Sequence, residues 1–262
     1  MENQTQLLQQ IKKHSFLMFK GWALYLIITG LVIGVGKLVY NIPVDHLTKE
    51  PNRILHGPFY VGAFSNLGII LWTIAATLCI VSAVYLKRYI PDSPLRLFLL
   101  HIGIFTTVLM LDDVYMWHDA MLPYYFGIDG RFVYAAYFIY TLYFIVRFRK
   151  VILKTDYIIL LASVFLLSLS VLCDTLEDMG TYNNALLKLT GLSPAGLGQF
   201  AVLFEDTFKG LGIITWLIYF SRVTFTNVLP SVKNSEIENS KRNAVSLAIA
   251  QEKMNAELDK GI

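Results

Sequence analysis

The chain has 262 residues, of which 55% are hydrophobic and 16% charged, and its formal net charge is +3. A soluble globular domain carries about 25% charged residues, so a water-soluble enzyme is a poor fit, and so small a positive excess gives no indication of nucleic acid as a partner. The two cysteines, Cys79 and Cys173, lie in apolar stretches without a CxxC spacing, which indicates neither a disulfide framework nor a cysteine-bound zinc.

Residues 1–20 are polar or basic, with Lys12, Lys13 and Lys20. No small-residue cleavage site follows, so the segment is read as a cytoplasmic N-terminal stretch and not as a signal peptide. Six long runs nearly free of charge come next: 22–40, 61–86, 95–111, 132–146, 157–173 and 200–220. Most approach the roughly 20 residues that a helix needs to cross about 30 Å of hydrocarbon. The third and fifth reach that length only with their acidic ends included. The expectation is an all-α, polytopic integral membrane protein with six transmembrane helices forming one domain, 21–222.

Lysine and arginine set the orientation. Lys87, Arg88 and Arg96, then Arg147, Arg149, Lys150 and Lys154, alternate with the sparser Lys37, Lys49 and Arg53, then Arg131, then Lys188. The positive-inside rule places the N and C termini in the cytoplasm, and the expected location is a bacterial cytoplasmic (inner) membrane, crossed several times. Between the spans, 41–60 should form an outer loop, and 180–199 should cap the bundle or re-enter it. Residues 223–262 are read as a short cytoplasmic helix. Ile237, Ala244, Leu247, Ala248, Gln251, Met254 and Leu258 recur there near helical spacing. Such a helix suits a homo-oligomer and a cytoplasmic regulatory ligand or protein.

The most informative side chains are acids placed where lipid should be. They form three knots: Asp112, Asp113 and Asp119 with His118; Asp174, Glu177 and Asp178; and Glu205 with Asp206. A charge in a bilayer costs a few kcal/mol or more, so such residues face the protein interior and mark a site or pathway. On the expected topology all three knots reach a similar depth in the outer half of the bundle. Asp112 and Asp174 lie roughly 26 Å from where their helices begin, and Glu205 lies about two turns into the sixth. Helical spacing puts His101, Phe105, Val108, Asp112 and Asp119 on one stripe, and Ser170, Asp174 and Asp178 on another. Lys209 stands at i,i+4 from Glu205, the favoured order for an ion pair, and is expected to neutralise Glu205 or Asp206.

Clustered carboxylates with few histidines favour a divalent cation such as Ca, Mg, Mn or Zn. Asp112, Asp113, His118, Asp119, Asp174, Glu177, Asp178, Glu205 and Asp206 are therefore candidate metal residues, and Lys209 is a structural partner. Packed carboxylates repel one another, so neutralising Asp112 or Asp174 is expected to remove activity while sparing or improving folding. Three functions are compatible with this set. The first is a cation channel or cation-binding transporter or effector, because carboxylates concentrate cations. The second is an intramembrane metal-dependent hydrolase acting on a lipid-like substrate. The third is a membrane scaffold whose buried ion pairs only fix helix packing.

Overall fold

A computed structural model describes residues 2–49, 51–178 and 194–258. All its elements are helical: α1 (Glu2–Leu38), α2 (Val44–Thr48), α3 (Pro51–Ile54), α4 (Ala63–Tyr89), α5 (Pro94–Tyr115), α6 (Leu122–Phe126), α7 (Gly130–Ile152), α8 (Tyr157–Asp178), α9 (Pro194–Val223) and α10 (Leu229–Leu258). Two π-turns interrupt them, at Trp117–Met121 and Thr224–Val228. Helix is the expected outcome in an apolar medium, where every backbone polar group must be satisfied within its own segment. Each of the six apolar runs in the sequence falls on one of the long helices.

Four helical stretches among the described residues are long and apolar enough to cross a membrane: Ala63–Tyr89, Pro94–Tyr115, Tyr157–Thr175 and Val202–Gln251. They mark the chain as a membrane protein. Large apolar side chains point outward from them, including Val81, Val84, Ile104 and Phe165, as bilayer-facing positions do. Trp22–Leu38 is apolar but shorter. In α7 the apolar run is diluted by Tyr134, Tyr137, Tyr140 and Tyr143 and closed by Arg147, Arg149 and Lys150.

The chain divides into two compact units, 1–62 and 63–262. In the first, Asn41 adopts a left-handed φ of 52°, and the amide of Ile42 returns to the carbonyl of Gly36 at 2.9 Å. The predicted outer loop thus holds the short helices α2 and α3. The predicted cap or re-entrant segment at 180–199 lies largely outside the described residues.

The second unit is built on α4, α5, α8 and α9. Helices α4 and α5 form an antiparallel hairpin whose turn closes with Ser93 N donating to the carbonyl of Ile90 at 3.1 Å. Pro94 then opens α5, a first-turn position where its missing N–H costs nothing. Helices α8 and α9 pack closely at Gly212, whose carbonyl accepts from the buried Ser163 hydroxyl at 2.9 Å. A Cβ on Gly212 would sit 2.7 Å from the Leu167 side chain and 3.1 Å from its backbone nitrogen. Gly212→Val should therefore force these helices apart and cost about 3 kcal/mol, the upper part of the usual range for overpacking. A thermal-unfolding midpoint in detergent equal to that of the wild type would contradict this close approach.

Aromatic rings fill the middle of the unit. Phe98 of α5 stacks on Phe144 of α7 with centroids 5.1 Å apart, and Trp72 of α4 meets Trp216 of α9 edge to face at 5.9 Å. Helix α7 joins through this cluster, while further along it draws away from α8. The tail helix α10 continues from α9 through the π-turn, with Val228 and Val232 buried and Val245, Leu247 and Ile249 exposed.

Candidate functional site

The site forms at one end of the second unit, where α5, the π-turn after it, α7, α8 and α9 come together. Helix α5 stops at Met116, which adopts a left-handed φ of 49° and ψ of 52°. Its amide still closes the last turn on the carbonyl of Asp112. The chain then winds into a π-turn, in which Met121 N reaches back to the carbonyl of Met116 at 3.0 Å. Asp119 is therefore not on the α5 stripe that period-3.6 counting assigns to it. The left-handed residue and the wider turn reset the phase and carry His118 back over Asp112.

Asp112 is buried, and it holds His118 twice. One carboxylate oxygen accepts from the His118 backbone amide at 3.0 Å, and the other stands 2.8 Å from ring Nδ1. With Nδ1–H donated to Asp112, ring Nε2 faces outward and lies 3.1 Å from an Asp119 oxygen. Burial works against a charged imidazole here, but the hydrogen bonds and charges of Asp112 and Asp119 outweigh it and push the His118 pKa up to about 10. The same hydrogen bond to His118 holds the Asp119 carboxyl below its ordinary value, against the cost of its partial burial. Helix α7 begins directly over this turn. A Cβ on Gly130 would fall 2.5 Å from the His118 carbonyl oxygen, so a side chain there would displace the histidine backbone. The preceding Asp129 caps α7 by accepting from Arg131 N at 2.9 Å. Its bonds to Arg131 hold its pKa down to about 2.

Asp174, near the end of α8, accepts from the Tyr134 hydroxyl of α7 at 2.7 Å. One ligand atom each from His118, Asp119 and Asp174 falls within 4.8 Å of the others, a span that a single cation can bridge. Asp113 faces away from this group. One of its oxygens lies 2.7 Å from Lys209 Nζ and the other accepts from Trp72 Nε1 at 3.0 Å. Helix α5 thus supplies Lys209 with a close acid that lies off its own helix. Glu205 is half-buried beside it, and Asp206 is exposed.

Two cavities meet at the group. The larger, about 520 Å³, runs between α7 and α8 and reaches Asp112, Asp113, His118, Asp174, Glu205 and Lys209 at its polar end. The smaller, about 370 Å³, is polar and includes Asp119, Asp129 and Arg131. They share His118, Tyr134 and Asp174. Asp206 lines neither, and the side chains of Glu177 and Asp178 lie outside the described residues. His101 is held apart from the site, its Nδ1 2.9 Å from the Leu97 carbonyl and its ring against Phe148.

Tyr134, Gly130 and Trp72 belong to the site and are absent from the candidate residues drawn from sequence. A signal for the first existed: Tyr134, Tyr137 and Tyr140 recur every three residues, which gives α7 one polar-tipped face. Gly130 and Trp72 act through contacts between elements, and no local spacing announces them.

The family model described as "Domain of unknown function (DUF8692)" matches residues 23–223, and the chain belongs to that family. No curated protein and no solved structure matches it.

Proposed function

We propose that this DUF8692 protein is an intramembrane enzyme that binds a divalent cation at His118, Asp119 and Asp174 and acts on a lipid-like substrate. The observation that supports this reading is the convergence of acids from three helices, within one chain, on a cavity that is apolar along most of its length. Acids serving a conduction path stand in rings around it. Here they gather at one end, so the cation-channel reading draws less support.

The donor set suits Mn or Zn among the four expected cations, because imidazole favours zinc and carboxylate favours manganese. Asp112 would act through His118, fixing the ring so that Nε2 points at the cation, as carboxylates behind metal-bound histidines do. Tyr134 would orient Asp174 in the same way. A cation held there would supply a Lewis acid and a water of lowered pKa. The test is Mn²⁺ binding followed by electron paramagnetic resonance on purified protein. Wild type should bind one ion, and Asp119→Asn and Asp174→Asn should each weaken binding at least about 10-fold. Asp206→Asn should bind as wild type does. Metal-dependent release of products from a labelled lipid extract, read by mass spectrometry, would establish the reaction. A stable protein that binds no divalent cation would return the acids to a scaffold role.

We further infer six crossings with both termini cytoplasmic, so that the site opens near the outer face. The support is the alternation of basic residues between the ends of successive helices. Reporter fusions after Asn41 and after Gly127 should both read as external. A cytoplasmic signal at either position would end this topology.

A further inference from the structure

We propose that the cavity between α7 and α8 holds one acyl chain of a bilayer lipid, whose head group donates hydrogen bonds to the acidic end. The head-group part rests on the enzyme reading above; the chain part stands on the shape and lining of the cavity. The volume of about 520 Å³ lies in the range of about 300–1,000 Å³ usual for small-molecule sites. That is room enough for a long acyl chain. Its body is apolar, and exposed side chains flank it on both sides, Phe138 and Leu142 on α7 and Leu172 on α8. Both helices are apolar where they face outward, so the cleft between them opens sideways to lipid. A chain can slide in from the bilayer while its head stays level with His118 and Asp174.

Charge sets the kind of head. Asp112, Asp113, Asp119, Asp129, Asp174 and Glu205 line the two cavities, against Lys209 and Arg131. Six acids face one lysine and one arginine. The excess of acceptors and negative charge fits an amine-bearing head and opposes a doubly anionic phosphate head.

The structure contains its own reporters. Trp72 and Trp216 both line the cavity and are 3% and 2% exposed. They are shielded from bulk lipid and fixed by hydrogen bonds to Asp113 and Thr106. With Trp22→Phe and Trp117→Phe in the full chain, the remaining emission comes from these two rings. The protein is placed in nanodiscs containing phosphatidylethanolamine with one dibrominated acyl chain, and quenching is recorded. A chain in the cavity should quench at least half of the emission. Ala135→Phe, or Ser168→Phe from the opposite wall should the first fail to fold, should reduce the quenching at least threefold and leave Mn²⁺ binding unchanged. Brominated phosphatidic acid with the same chains should quench several-fold less than phosphatidylethanolamine. Equal quenching in open and blocked proteins would overturn the chain site, and equal quenching by the two lipids would overturn the head preference. Intact quenching without Mn²⁺ binding would instead remove the cation reading and leave the chain site standing.

Discussion

Asp112→Asn is expected to cost about 3 kcal/mol of stability and to weaken cation binding by about 10–100-fold. Both carboxylate oxygens of Asp112 are engaged by His118, one by its backbone amide and one by its ring. An asparagine keeps the shape but offers a single acceptor. Its amide N–H₂ must then face one of two N–H donors, and a buried donor is left without a partner. Counting charges in the sequence leads to the opposite expectation for folding, since removing one of several clustered acids should relieve repulsion. The structure changes the sign because Asp112 is bonded to a buried histidine that it shares with Asp119. Thermal unfolding in detergent decides between them, and a midpoint at or above that of wild type would show that the clamp contributes nothing.

Lys209→Met should destabilise the protein by about 3–5 kcal/mol, because it strands Asp113 in a largely apolar surrounding. Adding Asp113→Asn should recover most of the loss, with a coupling of about 2–3 kcal/mol in the double-mutant cycle. Local spacing on α9 points instead to Glu205 as the partner. The two assignments separate cleanly: recovery by Asp113→Asn supports the α5–α9 pair seen at 2.7 Å, and recovery only by Glu205→Gln would transfer the lock to the i,i+4 pair. Trp72 should report the same event. Its Nε1 donor loses a charged acceptor in Asp113→Asn, so its emission should shift in that variant.

The helices were legible because a lipid-facing helix announces itself in composition alone. Each apolar run became one helix, and the acids at the ends of 95–111 and 157–173 did fall within α5 and α8. Counting along straight helices, where distance is fixed by the rise, gives Asp112, Asp174 and Glu205 similar heights, and all three line one cavity. It failed where the helix stopped. Met116 is neither glycine nor asparagine, and nothing in its neighbourhood marks it as left-handed, so Asp119 was counted onto a stripe it does not share. The Asp113–Lys209 bond was hidden for a different reason. It joins residues far apart in the chain, and only the packing of α5 on α9 brings them together. The same holds for Tyr134 and Asp174.

The π-turn at Thr224–Val228 has a rotational consequence. Buried residues along α9 and α10 include Ile213, Trp216, Phe220, Val223, Thr224, Val228 and Val232, so one buried face runs through this turn, and from Phe220 to Val228 two windings take eight residues where a regular helix takes about seven. An α-helix turns about 100° per residue. The extra residue therefore acts as a built-in phase correction that keeps Val228 and Val232 on the same side as Trp216 and Phe220. Wound as a regular α-helix at unchanged length, the final thirty-residue helix would be swung about 100° around its axis, presenting a different flank to whatever it meets; a chain one residue shorter at Thr226 would regain regular winding and keep the original flank.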